Sequence, residues 1–154
     1  MRFTHLIEIN DPLNPLIEPL SVAQVWRGLV WRVRDPMAFI DYLERAEIAG
    51  QADGSLLRRL DYGNVLVQDH VHLYEEARII TTKVAPQGEI AAALLTVTIE
   101  APMPERLFVR FAYDDGQPDL NQADAFYHEH VKSAYVEADI SAIRRIREAA
   151  QQST

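Results

Sequence analysis

The chain contains no cysteine among its 154 residues. That absence excludes a disulfide framework, a thiolate zinc site and a cysteine nucleophile. Positive charge is scarce too: 15 Lys and Arg against 23 Asp and Glu leave a formal net charge of −8. Such a surface disfavours nucleic acid or an anionic membrane as the main partner. No apolar run approaches the ~18 residues of a membrane span, so no membrane insertion is expected, and MRFTHLIEIN lacks a signal-peptide pattern. The six glycines are scattered, with no phosphate-cradling loop, and no serine stands in a nucleophile elbow. What remains fits a single domain over residues 1–154, expected in the cytoplasm. Its size allows about two thirds of the unfolded surface to be buried without a metal or disulfide staple.

The apolar residues mark out the elements. Residues 3–9 alternate, with Phe3, His5, Ile7 and Ile9 on one side, and read as a strand. The three prolines of DPLNPLIEPL (11–20) predict an extended connection, whose first seven residues, DPLNPLI (11–17), can serve as an apolar lid or a homodimer contact. Ser21 reads as an N-cap for a helix with Val22, Val25, Trp26, Leu29 and Val30 on one face. Asp35-Pro36 reads as the start of a second short helix, with Phe39, Ile40 and Leu43 inward. From about 45 to 115 the period becomes two, giving six strands near 45–52, 55–62, 65–74, 78–84, 89–100 and 106–114. A long helix over about 119–149 follows, with Asp119 and Asp124 at its start. Its apolar arc runs through Ala123, Tyr127, Val131, Ala134, Ala138, Ala142, Ile146 and Ala149. The expectation is an α+β fold: a seven-stranded antiparallel curved sheet, two short helices after strand 1, and a long C-terminal helix across the concave face. Because the arc is mostly alanine, a cavity between helix and sheet is expected, the alternative being close packing with none.

Pairing arithmetic selects the lining. A two-residue turn at Gly63-Asn64 makes partners across strands 55–62 and 65–74 sum to 127. Tyr62 then faces Val65, Leu60 faces Val67, Arg58 faces Asp69 and Leu56 faces Val71, all on the inner face. Arg59, Asp61, Gln68, His70 and His72 fall on the other face, expected to meet solvent. A charge pair on an apolar face is either a structural pair or a polar anchor for ligand. In the last hairpin, Ile99 opposite Leu107 places Leu95 with Phe111 and Ala93 with Tyr113 on the same inner face. A two-residue turn at Asp53-Gly54 would put Ile48 outside, so a longer loop or bulge with Ile48 inside is expected.

Candidate chemistry is sparse. His70 and His72 point the same way from one strand, but no third ligand is evident, so no metal is expected. His128 and His130 lie 200° apart on a helix and cannot chelate together. His130, near the edge of the inner arc, and His5, on the inner face of the first strand, are candidate acid–base groups beside Asp69. The RRIR run (144–147), with Asp139 and Glu148 nearby, reads as a solvated helix end.

The segments HLIEINDPLNPLIEPLSVAQVWRGLVWRVRDP (5–36), RRLDYGNVLVQDHV (58–71) and VKSAYVEADISAIRRIRE (131–148) carry a family resemblance. They are similar to a bacterial and fungal branch of the START-like (SRPBCC) superfamily whose fungal members are associated with acetylaranotin-type biosynthetic clusters. The resemblance covers essentially the whole chain and implies the helix-grip fold. The superfamily includes pollen allergens, lipid-transfer domains and polyketide cyclases and dehydratases, so one scaffold hosts carriers and enzymes. It shares no catalytic motif, so no catalytic residue is carried over. The expected function is binding of a small hydrophobic or amphipathic molecule, without a cofactor. Arg58, Asp69, Tyr62, Leu60, Val67, Phe111, Tyr113, Tyr127, His130 and Ala134 form the expected lining. The alternatives are a cyclase- or dehydratase-like enzyme using that cavity, and an interaction module with no ligand.

Overall fold

The computed structural model describes residues 1–117 and 122–152, and for 122–124 the backbone alone. Asp119 and the side chains of Ala123 and Asp124 therefore lie outside the described residues. The order is β1 (Arg2–Asn10), α1 (Val22–Arg34), a 3-10 turn (Pro36–Ala38), then six strands and a final helix. The strands are β2 (Arg45–Gly50), β3 (Leu56–Asp61), β4 (Leu66–Tyr74), β5 (Ile79–Val84), β6 (Ala93–Met103) and β7 (Arg106–Asp114), and the helix is α2 (Gln122–Gln152). The sheet runs β1-β7-β6-β5-β4-β3-β2 with every neighbour antiparallel.

Ser21 caps α1 through a reciprocal pair: its hydroxyl accepts from Gln24 N–H at 3.0 Å, and the Gln24 side chain accepts from Ser21 N–H at 2.8 Å. The second short helix forms as a single 3-10 turn, with Asp35 at its N-cap position and Pro36 first. Asp35 also closes α1, donating its N–H to Trp31 O at 2.8 Å. The connection at 11–20 is not extended. Asp11 and Asn14 each accept the N–H two residues on, from Leu13 and Leu16, which folds the segment into two successive turns. Asn10 pins its ends together, donating to Leu20 O at 2.7 Å and accepting from Leu20 N–H at 2.9 Å.

The β3–β4 register is the one expected from Gly63-Asn64, with Leu60 opposite Val67, Arg58 opposite Asp69 and Leu56 opposite Val71. Ile48 pairs with Arg58 and so lies inside, because a loop over 51–55 replaces the two-residue turn. The last hairpin differs by two residues: Ile99 pairs with Val109, Val97 with Phe111 and Leu95 with Tyr113. A bulge between Glu100 and Met103 absorbs the shift. An even slip preserves the faces, so the inner side chains stay inside.

The core sits where α1 and the C-terminal half of α2 meet the sheet, around Ile9, Val25, Leu29, Val71, Val109, Phe111, Ile143 and Ile146. The helices cross closely at Gly28, where a methyl group would fall 2.2 Å from Ile146 Cγ2. The basic run is not simply solvated. Arg147 donates to Ile9 O at 2.6 Å and Glu18 O at 2.8 Å, and Arg145 donates to Ala38 O while lying over the Phe39 ring. The run meets carbonyls at the end of β1, in the following connection and in the 3-10 turn, and so clamps α2 onto the opening third of the chain.

Candidate ligand site

Arg58 and Asp69 project from adjacent strands toward the helices. Arg58 Nε donates to Asp69 Oδ1 at 2.8 Å and its NH2 to Oδ2 at 2.7 Å, a bidentate pair with the two side chains 10% and 2% exposed. Arg58 NH1 donates to Val33 O at 2.9 Å, satisfying a carbonyl in the last turn of α1, where the helix leaves its acceptors unpaired. Both carboxylate oxygens are engaged, each by one guanidinium N–H. Of the five guanidinium N–H groups three are used, leaving two for another acceptor. Tyr62, half-buried beside the pair, has its phenol pushed above the ordinary range by burial and secondarily by the Tyr42 phenol, with Arg58 opposing. The Tyr42 and Tyr62 rings lie 5.8 Å apart.

A second buried carboxylate lies on α2. Asp139, 1% exposed, accepts from Arg32 NH1 at 2.9 Å on Oδ1, and from His5 Nε2 at 2.8 Å and the Tyr113 hydroxyl at 2.5 Å on Oδ2. Facing a carboxylate, the imidazole donates from Nε2, which leaves Nδ1 as the acceptor of the neutral ring. Burial, with the Asp139 charge and hydrogen bond, raises the Tyr113 phenol far above its ordinary pKa. Phe3, Tyr113 and Tyr135 form an aromatic cluster, with Tyr113 4.8 Å from Phe3 and 4.6 Å from Tyr135, and His5 stacks on Phe111 at 5.0 Å. Consecutive residues of α1 join the two centres, since Arg32 reaches Asp139 and Val33 receives Arg58.

The lining expected from sequence is only partly gathered. Arg58, Asp69, Tyr62, Leu60, Val67, Phe111 and Tyr113 lie on the helix-facing side of the sheet, Leu60 and Phe111 fully in the core and Val67 partly exposed. Tyr127, His130 and Ala134 do not join them, being exposed on α2. Ala142 and Ile146 of the alanine arc are buried, but the inward face as a whole is turned from that arc by about a quarter turn, running from partly buried His128, Lys132 and Val136 to buried Asp139, Ile143 and Ile146. Alanine packs on either face and so misleads, while an inward aspartate counts as outward in any hydropathy pattern. Asp139, Arg32 and Tyr135 were therefore missed. The available signal was a charge at a core position: Val136, Asp139, Ile143, Ile146 and Ala150 recur at alternating three- and four-residue spacing.

The two-histidine strand also differs from a solvated face. His70 Nε2 lies 2.7 Å from the hydroxyl of buried Ser55, which in turn bonds Asp53. Among the described residues, no group of three His, Asp or Glu side chains has metal-binding geometry. Nor is any helix among them long and apolar enough to cross a membrane.

Packing between α2 and the sheet is uneven. Ala142, Ile143 and Ile146 are buried, but Phe126, Tyr127 and Tyr135 are 83%, 65% and 44% exposed. Opposite that open half, Val67, Thr82, Val84 and Leu95 stay partly exposed on the helix-facing side of the sheet. Burial raises the Tyr135 phenol as it does Tyr62, and neither hydroxyl has a hydrogen-bond partner among the described residues.

Known structures share the architecture at low sequence identity. The aromatase/cyclase ZhuI from Streptomyces sp. R1128 superposes with a TM-score of 0.67 at 13% identity, over 99% of this chain and 94% of that one. Norcoclaurine synthase from Thalictrum flavum gives 0.67 at 12%, over 98% and 96%. A protein from Thermus thermophilus gives 0.65 at 12%, over 100% and 99%. These likenesses establish the helix-grip fold. No curated protein sequence matches. The model of the acetylaranotin biosynthesis cluster protein L family matches residues 7–153, and the chain belongs to that family.

Proposed function

We propose that the protein binds a small, largely apolar molecule carrying at least one hydrogen-bonding oxygen, between the N-terminal half of α2 and the sheet. One observation carries this reading. The hydroxyls of Tyr62 and Tyr135 are unpartnered among the described residues, at the half of the helix–sheet interface where Val67, Thr82, Val84 and Leu95 are incompletely covered. A mostly apolar surface with a few converging polar groups is what small-molecule recognition requires. The two free N–H groups of Arg58 add a cationic donor, and its hold on Asp69 and Val33 O fixes the guanidinium in advance. Structural relatives named as an aromatase/cyclase and a norcoclaurine synthase are compatible with an aromatic or polycyclic ligand. An acidic, cysteine-free chain suits the cytoplasm.

The His5–Asp139 contact favours a second reading, an enzyme of the cyclase or dehydratase kind. Asp69 has both oxygens on Arg58 and His130 stands exposed on α2, so His5 is the base in that reading: Asp139 fixes its Nε2–H tautomer and Nδ1 takes the proton.

Native mass spectrometry of the freshly purified protein, beside an organic extract, tests the binding function. The expected result is an excess mass, lost on denaturation and recovered as a discrete molecule. A bare chain that also takes up none of a panel of aromatic and polycyclic compounds would contradict it.

A further inference from the structure

A groove opens on the other side of the sheet. Arg58 and Leu56 face the helices, so Leu57 and Arg59 between and beside them face away, as do Ala49, His70 and Lys83 in the same cross-strand row. These side chains frame a groove of about 590 Å³ that crosses the sheet backbone at Ile48, Arg58, Asp69 and Val84. Its volume is within the range of small-molecule sites, about 300–1,000 Å³. Pro86 and Ala92, from the segment joining β5 to β6, close one end. That wall is fastened to the sheet: Ala85 N–H donates to Gln68 O at 2.9 Å, the Gln68 side chain reaches Gln87 at 3.1 Å, and Gln87 bridges Ile90.

The lining is chiefly apolar, and Leu57 in its middle is left 44% exposed. Its charge runs against the rest of the molecule. In a chain of net charge −8, Glu47 at the groove's edge is neutralised by Arg45 at 2.8 Å, while Arg59 and Lys83 form no ion pair among the described residues. Glu47 also stands directly opposite Arg59 across β2 and β3, whereas Lys83 has only His70 and Leu94 opposite it, so Lys83 is the lining cation with no opposed carboxylate. His70, directly opposite Lys83, is held from beneath. Ser55 Oγ donates to Asp53 Oδ1 at 2.5 Å and so accepts from His70 Nε2, leaving Nδ1 unengaged.

We infer that this outer groove is a second ligand site, for an amphipathic monoanion such as a fatty or aryl carboxylate. The apolar body covers Leu57, Ala49 and Pro86, and the carboxylate meets Lys83 or Arg59. The row from Ala49 to Lys83 crosses three strand spacings, about 14 Å, the span of a medium-length acyl chain. The site is independent of the proposed ligand space on the helix side.

Laurate is the probe, with dodecyltrimethylammonium as its cationic counterpart, followed by calorimetry and by amide chemical shifts of the intact chain. Laurate is expected to bind and to shift residues 57, 59, 70 and 83–85. Leu57→Asp and Lys83→Glu should each weaken it roughly tenfold or more, because one removes apolar contact and both add a like charge. Both positions are exposed, so unchanged thermal melts should accompany the loss, and Lys83→Gln serves if a variant misfolds. Equal binding of the cation overturns the inference. So does the absence of binding, or laurate binding that survives both variants and shifts Val67, Leu95 and Tyr135 instead. That last pattern would place the fatty acid on the helix side and leave the proposed function standing.

Discussion

Asp69 and Asp139 are both buried carboxylates paired with an arginine, yet they are built differently. Asp69 meets Arg58 across one pair of neighbouring strands, eleven residues apart, and the pair is a closed unit apart from the bond to Val33 O. Asp139 draws in β1 through His5, α1 through Arg32 and β7 through Tyr113, from 26 to 134 residues away. The first is a local device that orients a guanidinium. The second fastens α2 to the rest of the fold, just where tight packing gives way to the open half. The fold thus holds its helix firmly at one end while leaving side chains uncovered at the other.

The largest predicted effect follows from that difference. Asp139→Ala leaves three donors without their shared acceptor and should destabilise the protein by about 3–5 kcal/mol in denaturant unfolding. A loss under ~1 kcal/mol would show that α2 does not depend on the contact. Arg58→Met or Asp69→Leu alone should cost about as much, since each strands a buried partner. The double variant should recover to within ~1–2 kcal/mol of the parent, because a closed pair can be replaced by apolar groups. No comparable rescue is expected from pairing Asp139→Leu with Arg32→Met, as His5 and Tyr113 would still lack an acceptor.

Gly28→Ala tests the firmly held end. The added methyl collides with Ile146, and a loss of about 1–3 kcal/mol is expected at the helix crossing. The Tyr113 contact has a pH signature. Its phenol is raised above the unfolded value of 10.0, so the neutral form is favoured in the folded state. Its stability contribution is complete below pH 10 and declines as the pH rises above that value, when the unfolded chain ionises and the folded one does not. Tyr113→Phe should flatten this alkaline fall in unfolding free energy. The smallest change expected is for Tyr62→Phe with Tyr135→Phe, about 0.5 kcal/mol or less, since neither hydroxyl has a partner among the described residues. Loss of ligand without loss of stability would separate the open half from the closed one.

How much was legible in the sequence follows the same division. Asp69 could be found because strand pairing is arithmetic: once Gly63-Asn64 fixes the turn, Arg58 must stand opposite it. Even the hairpin placed two residues out, around Leu95 and Tyr113, kept its inward side chains, since strand faces repeat every two residues. Asp139 offered no such rule. Its partners come from three elements whose approach is set by tertiary packing, and the alanines of α2 carried no facial information. The close approach at Gly28 and the carbonyls met by Arg145 and Arg147 were hidden for the same reason, since each acquires its role only when α2 docks.

The central claim is that ligand occupies the helix side of the sheet, between Tyr62 and Tyr135. Its most direct test is an amide chemical-shift map of the protein titrated with neutral fused-ring phenols such as 2-naphthol. The account predicts shifts concentrated at Tyr62, Val67, Leu95 and Tyr135, weakened in the Tyr62→Phe, Tyr135→Phe protein. Shifts confined to Leu57, His70 and Lys83, or a spectrum that does not move, would contradict it.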